Sequence, residues 1–160
     1  MAVLSDADIL QYLAKGELRI DPFIDSNLTP NGYDVTIEEV QIPPKPLRVR
    51  EGTARIPPRT RFAIGTREVV RLGSHLCGQI WLRTTWARQG IVASFGMIDA
   101  GFVGNLTFGA LNASDEEVPL RIGDRFAQVV FLTLESSASA GYDERSGTYQ
   151  GQRGVTLRPP

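Results

Sequence analysis

At 160 residues, with ordinary apolar content and a formal net charge of −1, the chain is long enough for one domain with a proper core. Its overall field does not attract nucleic acid, and no run of about 18 apolar residues is present to span a membrane. The N-terminus lacks the basic and apolar segments of an export signal, so a cytoplasmic location is expected. One cysteine, Cys77, forbids an intrachain disulfide. With His75 it is too small a set for zinc, which takes three or four protein ligands, and it reads as a small core residue. Only two of the 17 basic residues are lysine (Lys15 and Lys45), so positive charge is almost wholly guanidinium, whose planar fork suits phosphate and carboxylate.

Residues 4–18 read as a helix. Ser5 with Asp8 three residues later forms a capping-box pattern, Ile9, Leu10 and Leu13 supply an apolar stripe, and Gly16 ends it. A short strand follows at 18–20, closed by Asp21-Pro22. Asn31-Gly32-Tyr33-Asp34 reads as a turn leading into a strand at 35–37. Pro43-Pro44-Lys45-Pro46 is expected to be a loop or an edge. Short β-prone runs then recur between turn residues, at 47–49, 61–64, 68–70, 78–82, 91–93, 106–111 and 128–134. This spacing predicts a mainly β fold, a sandwich or barrel with one N-terminal helix and a short helix near 84–89. Residues 136–141 read as a small, polar linker. The stretch after it, with Tyr142, Arg145, Tyr149, Gln150 and Gln152, reads as either a loose tail or a lid with Tyr149 as a stacking ring. The division expected is one β domain over 1–140 and a tail over 141–160.

The chemistry available is narrow. His75 is the only histidine, so no Ser-His-Asp set exists, and no GxxxxGK[ST] phosphate loop is present. What remains is a carboxylate acting on water. Asp99, in Met97-Ile98-Asp99-Ala100-Gly101, reads either as a turn residue before glycine or as a carboxylate placed to take a proton from water. Arg83, Thr84, Thr85 and Arg88 put two guanidinium groups and two hydroxyls close together, a set able to hold a polyphosphate. Gln128 could donate to the same anion. Asp34 could hold magnesium through water, since Mg²⁺ keeps much of its hydration and prefers phosphates plus one or two carboxylates.

These stretches resemble a known family. Gly96-Met97-Ile98-Asp99-Ala100-Gly101-Phe102-Val103-Gly104 resembles the G-[VI]-I-D-x-x-[YF]-x-G motif of the trimeric dUTP diphosphatase and dCTP deaminase superfamily. Gly123-Asp124-Arg125-Phe126-Ala127-Gln128 resembles its G-D-R-[IF]-A-Q motif, and Gly32-Tyr33-Asp34-Val35 its G-Y-D-[LV] motif. Arg83-Thr84-Thr85-Trp86-Ala87-Arg88 resembles the R-S-[ST]-L-A-R phosphate-binding segment, with threonine for serine. The N-terminal residues 4–9 and 20–23, and the tail residues Tyr142, Tyr149 and Gln152, resemble the deaminase branch.

The resemblance implies a distorted β-barrel or jelly-roll-like β-clip, and a homotrimer with sites between subunits. Asp99 would activate water, and Arg83, Thr84, Thr85, Arg88 and Gln128 would hold phosphates. The backbone of Gly96, Met97 and Ile98 would read the base, and Phe102 would pack on the deoxyribose. Tyr142, Tyr149 and Gln152 would close over the nucleotide, with Mg²⁺ as the cofactor. In the deaminases a glutamate ten residues after the motif aspartate activates the attacking water, and here that position is Gly109. On that ground the expected activity is hydrolysis of dUTP to dUMP and diphosphate. The alternatives are deamination of dCTP and a non-catalytic nucleotide-binding homologue.

Overall fold

A computed structural model describes residues 2–43 and 47–158, so the expected proline-rich loop lies outside the described residues from position 44 to 46. The first helix, α1, spans Asp6–Ala14. Ser5 caps it: Asp8 N donates to Ser5 Oγ (3.2 Å), and Ser5 N donates to Asp8 Oδ2 (3.0 Å). Two acidic residues, Asp6 and Asp8, sit in the first turn, where the helix dipole favours them. The helix is shorter than expected at both ends. Lys15 caps it, Gly16 takes a positive φ of 72°, and the chain turns into strand at Leu18. The expected apolar stripe is also narrower. Ile9 is fully buried and Leu13 packs against the core, but Leu10 is 47% exposed.

The remainder is mainly β. Strands β1 (Leu18–Asp21), β2 (Leu28–Thr29), β3 (Gly32–Ile42), β4 (Leu47–Val49), β5 (Thr53–Ile56), β6 (Arg61–Leu72) and β7 (Leu76–Leu82) precede the short helix α2 (Thr84–Arg88). Strands β8 (Ile91–Ser94), β9 (Met97–Ile98), β10 (Val103–Asn112), β11 (Val118–Arg121) and β12 (Arg125–Thr133) follow, and then one helical turn, α3 (Tyr142–Arg145). The main sheet runs β8-β10-β6-β3-β12-β7-β9, with β1 on β6 and β2 and β4 on β3, and β5 and β11 form a small second sheet. Register shifts occur at Ile37/Glu39 against β6, at Asn105/Thr107 against β6 and at Arg125/Ala127 against β3. Such bulges bend strands and raise local twist, and here they curl the sheet into a half-barrel.

Strand β6 is one continuous element where two strands were expected. The interrupting Gly65-Thr66-Arg67 stays extended because its polar groups are satisfied inside: Thr66 Oγ1 donates to Glu68 O (2.9 Å) and accepts from Leu106 N (2.9 Å). Strand β3 likewise begins earlier than expected, at Gly32, directly after the turn at 30–31 that joins it to β2. A Cβ at Gly32 would lie 2.6 Å from Val129 O, so the close approach of β12 requires glycine there. Strands β5 and β11 and helix α3 were not foreseen.

The core is a single cluster. Phe126 is its aromatic hub, with ring centroids 6.0 Å from Trp86, 6.3 Å from Phe62 and 6.3 Å from Phe108. These rings tie α2, β6, β10 and β12 together. Cys77, on β7, is buried as expected, and burial pushes its thiol pKa up, with nearby Asp99 adding to the effect.

Candidate active site

Strand β12 joins the separate sequence motifs. It lies between β3 and β7, so Gln128 pairs with Asp34 on one side and with Trp81 on the other. The chain leaves β7 at Arg83, whose N–H donates to Phe126 O (3.1 Å), and enters α2 at once. Trp86 Nε1 donates to Arg125 O (2.9 Å), fastening α2 to the start of β12. Positions far apart in sequence thus line one polar cleft of about 310 Å³, formed by Thr29, Asp34, Leu82, Arg83, Thr84, Thr85 and Gln128.

Within this cleft Asp34 is buried and faces two guanidinium groups. Its Oδ2 lies 2.9 Å from Arg83 Nε and 3.4 Å from Arg125 Nη1. Burial raises its pKa, and Arg83 and then Arg125 act in the opposite direction. Thr84 and Thr85 stand exposed at the opening of α2. Gln128 Nε2 donates to Thr29 Oγ1 (2.7 Å), which fixes the orientation of the carboxamide. The expected phosphate ligands Arg83, Thr84, Thr85 and Gln128 therefore come together. Arg88 does not; it is exposed at the far end of α2 and lines neither this cleft nor the cavity described next.

Asp34 was expected to hold magnesium through water. The structure gives it another occupation, as counter-ion to Arg83 and Arg125. Among the described residues no group of three or more His, Cys, Asp or Glu side chains is placed to bind a metal. With Asp34 engaged by two guanidinium groups, this cleft would take Mg²⁺ mainly through the phosphates of a nucleotide.

A second cavity, of about 200 Å³, contains Asp99 as its only carboxylate. Gly96, Met97, Ile98, Phe102, Tyr142, Tyr149 and Gln152, all expected in the site, line it. Strand β9 puts Met97 and Ile98 there by pairing with β7, Ile98 opposite Gly78. A Cβ at Gly78 would lie 3.0 Å from Ile98 Cδ1, so glycine makes room for the isoleucine. The chain then turns sharply. Phe102 N donates to Asp99 O (3.2 Å), and Gly101 has φ 82°, as the third residue of a type II turn requires. Asp99 is therefore both a turn residue and an exposed carboxylate at the cavity.

The tail closes the same cavity. Tyr142 N donates to Ala100 O (2.8 Å), and the Tyr142 ring meets Phe102 edge-on at 5.4 Å. Tyr149 N donates to Tyr142 Oη (3.1 Å), and Gln152 Nε2 donates to Asn105 O (2.6 Å). Beyond it Gly154 O accepts from Asn105 Nδ2 (3.1 Å), and Val155 is buried.

Sequence reasoning missed Thr29 in the cleft, the guanidinium of Arg125 paired with Asp34, and Phe95, Thr107 and Phe108 in the cavity. Thr107 and Phe108 belong to an expected strand, so alternation could have placed one of them inward. Thr29 carries no local signal, because it enters only through strand pairing. Gly109 follows on β10 with nothing within 4 Å of a Cβ built there, and it lines a different surface from the Asp99 cavity.

A family model described as dCTP deaminase-like matches residues 3–134. The chain is 38% identical over 143 residues to the dCTP deaminase of Thermococcus kodakarensis, covering 88% of this chain and 90% of that one. It is 42% identical over 137 residues to the dCTP deaminase of Pyrococcus horikoshii, covering 84% and 86%. Among solved structures, 2′-deoxycytidine 5′-triphosphate deaminase from Agrobacterium tumefaciens superposes with a TM-score of 0.68 at 16% identity over 81% of this chain. That overlap is 47% of the Agrobacterium chain, so this chain spans about half its length. A dUTPase from phage phi11 of S. aureus, described with a structural Mg(II) ion, superposes with a TM-score of 0.54 at 18% identity, covering 77% and 94%. The fold is thus the one that dUTPases and dCTP deaminases share. The chain belongs to the dCTP deaminase-like family within that superfamily.

Proposed function

We propose that the chain is an enzyme of pyrimidine deoxynucleotide metabolism that deaminates dCTP to dUTP. The observation that carries this reading is the substantial identity to proteins named dCTP deaminase along most of the chain, 38–42% for the two quoted above. The cavity supports it, because a base-sized apolar pocket meets one carboxylate, Asp99, at the turn. This replaces dUTP hydrolysis, favoured on sequence alone, as the leading activity.

In this reading the polar cleft holds the triphosphate through Arg83, Thr84, Thr85 and Gln128. The cytosine lies against the backbone of Gly96, Met97 and Ile98, with Phe102 beside the sugar and Tyr149 over the base. Asp99 takes a proton from water as the oxygen bonds to C4 and passes it to N3, which receives the C4–N3 electron pair; the remaining water proton then moves to the amino group, the C4–N bond breaks, and ammonia leaves a C4 carbonyl. Magnesium arrives on the phosphates of the substrate. The cleft and the cavity share no lining residue within one chain, which supports sites completed between copies of a homotrimer. A soluble nucleotide substrate fits the cytoplasm.

A second reading, hydrolysis of dUTP at the α-phosphorus, is favoured by one observation. Gly109 leaves β10 without the carboxylate that the deaminase branch carries at that position. The two readings separate when dCTP and dUTP are incubated separately with the protein and magnesium, and ammonia and diphosphate are measured. Ammonia and dUTP from dCTP, without diphosphate, are expected. Diphosphate from dUTP with dCTP untouched would replace this reading with hydrolysis. Binding of both without change to either would identify a non-catalytic homologue.

A further inference from the structure

The turn that carries Asp99 is held from two sides. From the sheet, Gly101 N donates to Leu72 O (3.2 Å) and Leu72 N donates to Phe102 O (3.1 Å). From the tail, the side chain of Gln150 does the work of a peptide group. Its Nε2 donates to Gly101 O (3.0 Å), and its Oε1 accepts from Val103 N (3.0 Å). The next amide, Gly151 N, donates to Val103 O (2.7 Å), and Asn105 N donates to Gln152 O (3.2 Å). The tail thereby runs beside residues 101–105 like an added strand, with the Gln150 carboxamide as its first rung.

The preceding residue is Tyr149, which lines the Asp99 cavity. Gln150 itself does not line that cavity, so it acts only through its neighbours. Its two contacts require one donor and one acceptor at the end of a side chain of this length. An ionised glutamate supplies only acceptors, and asparagine is one methylene shorter. Gly101 suits the arrangement as well: a Cβ there would lie 3.0 Å from both Gly141 Cα and Tyr142 N, so the tail could not come as close to any other residue.

We propose that Gln150 is a positioning residue, whose carboxamide latches the tail to the Asp99 turn and sets Tyr149 in the wall of the Asp99 cavity. The catalytic consequence rests on the reading of this cavity as the active site, whereas the latch does not. Breaking it frees the turn and the ring together, so kcat and KM both suffer although no substrate contact is removed.

The test compares the unaltered protein with Gln150→Ala and Gln150→Glu, using amide hydrogen exchange at Val103 and turnover of dCTP and dUTP across pH 5–8. In Gln150→Ala, exchange at Val103 should quicken roughly tenfold relative to the unaltered protein, as loss of a net-favourable hydrogen bond implies. In Gln150→Glu, the same acceleration is expected at pH 8. It should shrink toward the unaltered protein as pH falls and the carboxyl gains the proton that can donate to Gly101 O. Unchanged exchange in Gln150→Ala overturns the latch. So does a Gln150→Glu variant whose ratio to the unaltered protein is the same at every pH, since a purely packing role has no such dependence. If the unaltered protein turns over neither nucleotide, the functional reading fails while the exchange ratios still decide the latch.

Discussion

Asp34 and Arg83 meet at 2.9 Å across the gap between β3 and the end of β7, with Arg125 of β12 completing the group at 3.4 Å. A buried carboxylate thus orients the guanidinium expected to hold phosphate. The three side chains come from three separate motifs, and none is useful without the others. Replacing Asp34 with asparagine leaves two partly exposed guanidinium groups without their counter-ion and should cost about 1 kcal/mol of stability, because burial of the carboxylate already offsets much of the attraction. Urea unfolding checks the cost, and titration with a nucleoside triphosphate should show altered affinity. An unchanged unfolding midpoint would remove Asp34 from its structural role.

Glu68 provides a pH signature. It is fully buried and accepts from Thr36 N (2.8 Å) and Thr36 Oγ1 (2.8 Å), yet burial outweighs these bonds and raises its pKa. The folded chain therefore binds this proton more tightly than the unfolded chain does. Its contribution to stability is fully present below the unfolded glutamate value and is lost as pH rises through the folded one. Thermal unfolding of the unaltered protein and Glu68→Gln, compared over pH 4–8, should show the unaltered protein relatively more stable at the acid end. A difference that does not vary with pH would contradict this sign.

Gly65→Ala tests how the tail is seated. A Cβ at this position would lie 2.9 Å from Gly154 C and 3.1 Å from Gly154 O, both backbone atoms that cannot swing aside. The sheet should survive, since alanine is easily held in an extended strand, while the tail lifts. Proteolysis should then cut the C-terminal segment faster, by an order of magnitude or more, with far-UV circular dichroism unchanged. Equal cutting rates would show that the tail tolerates the methyl group in place.

Gly109→Glu tests what the missing carboxylate means. Nothing lies within 4 Å of a Cβ there, so the variant should fold with its unfolding temperature close to that of the unaltered protein. Position 109 opens onto a different surface of this chain from the Asp99 cavity, so dCTP deamination should change little; a rise of roughly a hundredfold or more, the usual range for general acid–base assistance, would show that this surface faces the site of another copy. A rate unmoved by the substitution would mean that this position plays no part in the chemistry of this chain.

Mixing two variants tests assembly. Asp99→Asn removes the carboxylate of the cavity, and Arg83→Ala removes a donor of the cleft. Each alone should be nearly inactive. If sites form between copies, unfolding and refolding the two together should restore part of the activity, because some sites would then receive both intact halves. No recovery, with mixed oligomers confirmed by mass, would place the whole site within one chain.

The residues around the cavity were legible through their resemblance to the superfamily's motifs, two of which lie far apart in the chain. Gly96, Asp99, Phe102, Tyr149 and Gln152 indeed meet. The counter-ion role of Asp34 was not legible, since it depends on which strands flank β12 and in what register. The continuity of β6 was hidden for a similar reason. Gly65 and Thr66 read locally as a turn, and only the tail packed over Gly65 and the bond from Leu106 N to Thr66 Oγ1 show why they remain extended. Strands β5 and β11 are short and pair mainly with each other, so neither carried a pattern strong enough to stand out from loop.

The bond from Trp86 Nε1 to Arg125 O, with Arg83 N on Phe126 O, makes the 83–88 and 123–128 segments mechanically one part despite the chain that separates them. A tryptophan at position 86 therefore belongs with its partner's backbone and with Phe126, against which its ring packs. Chimeras that exchange one segment between homologues without the other would join halves shaped for different mates. The unit that can be inherited or transplanted intact is the pair.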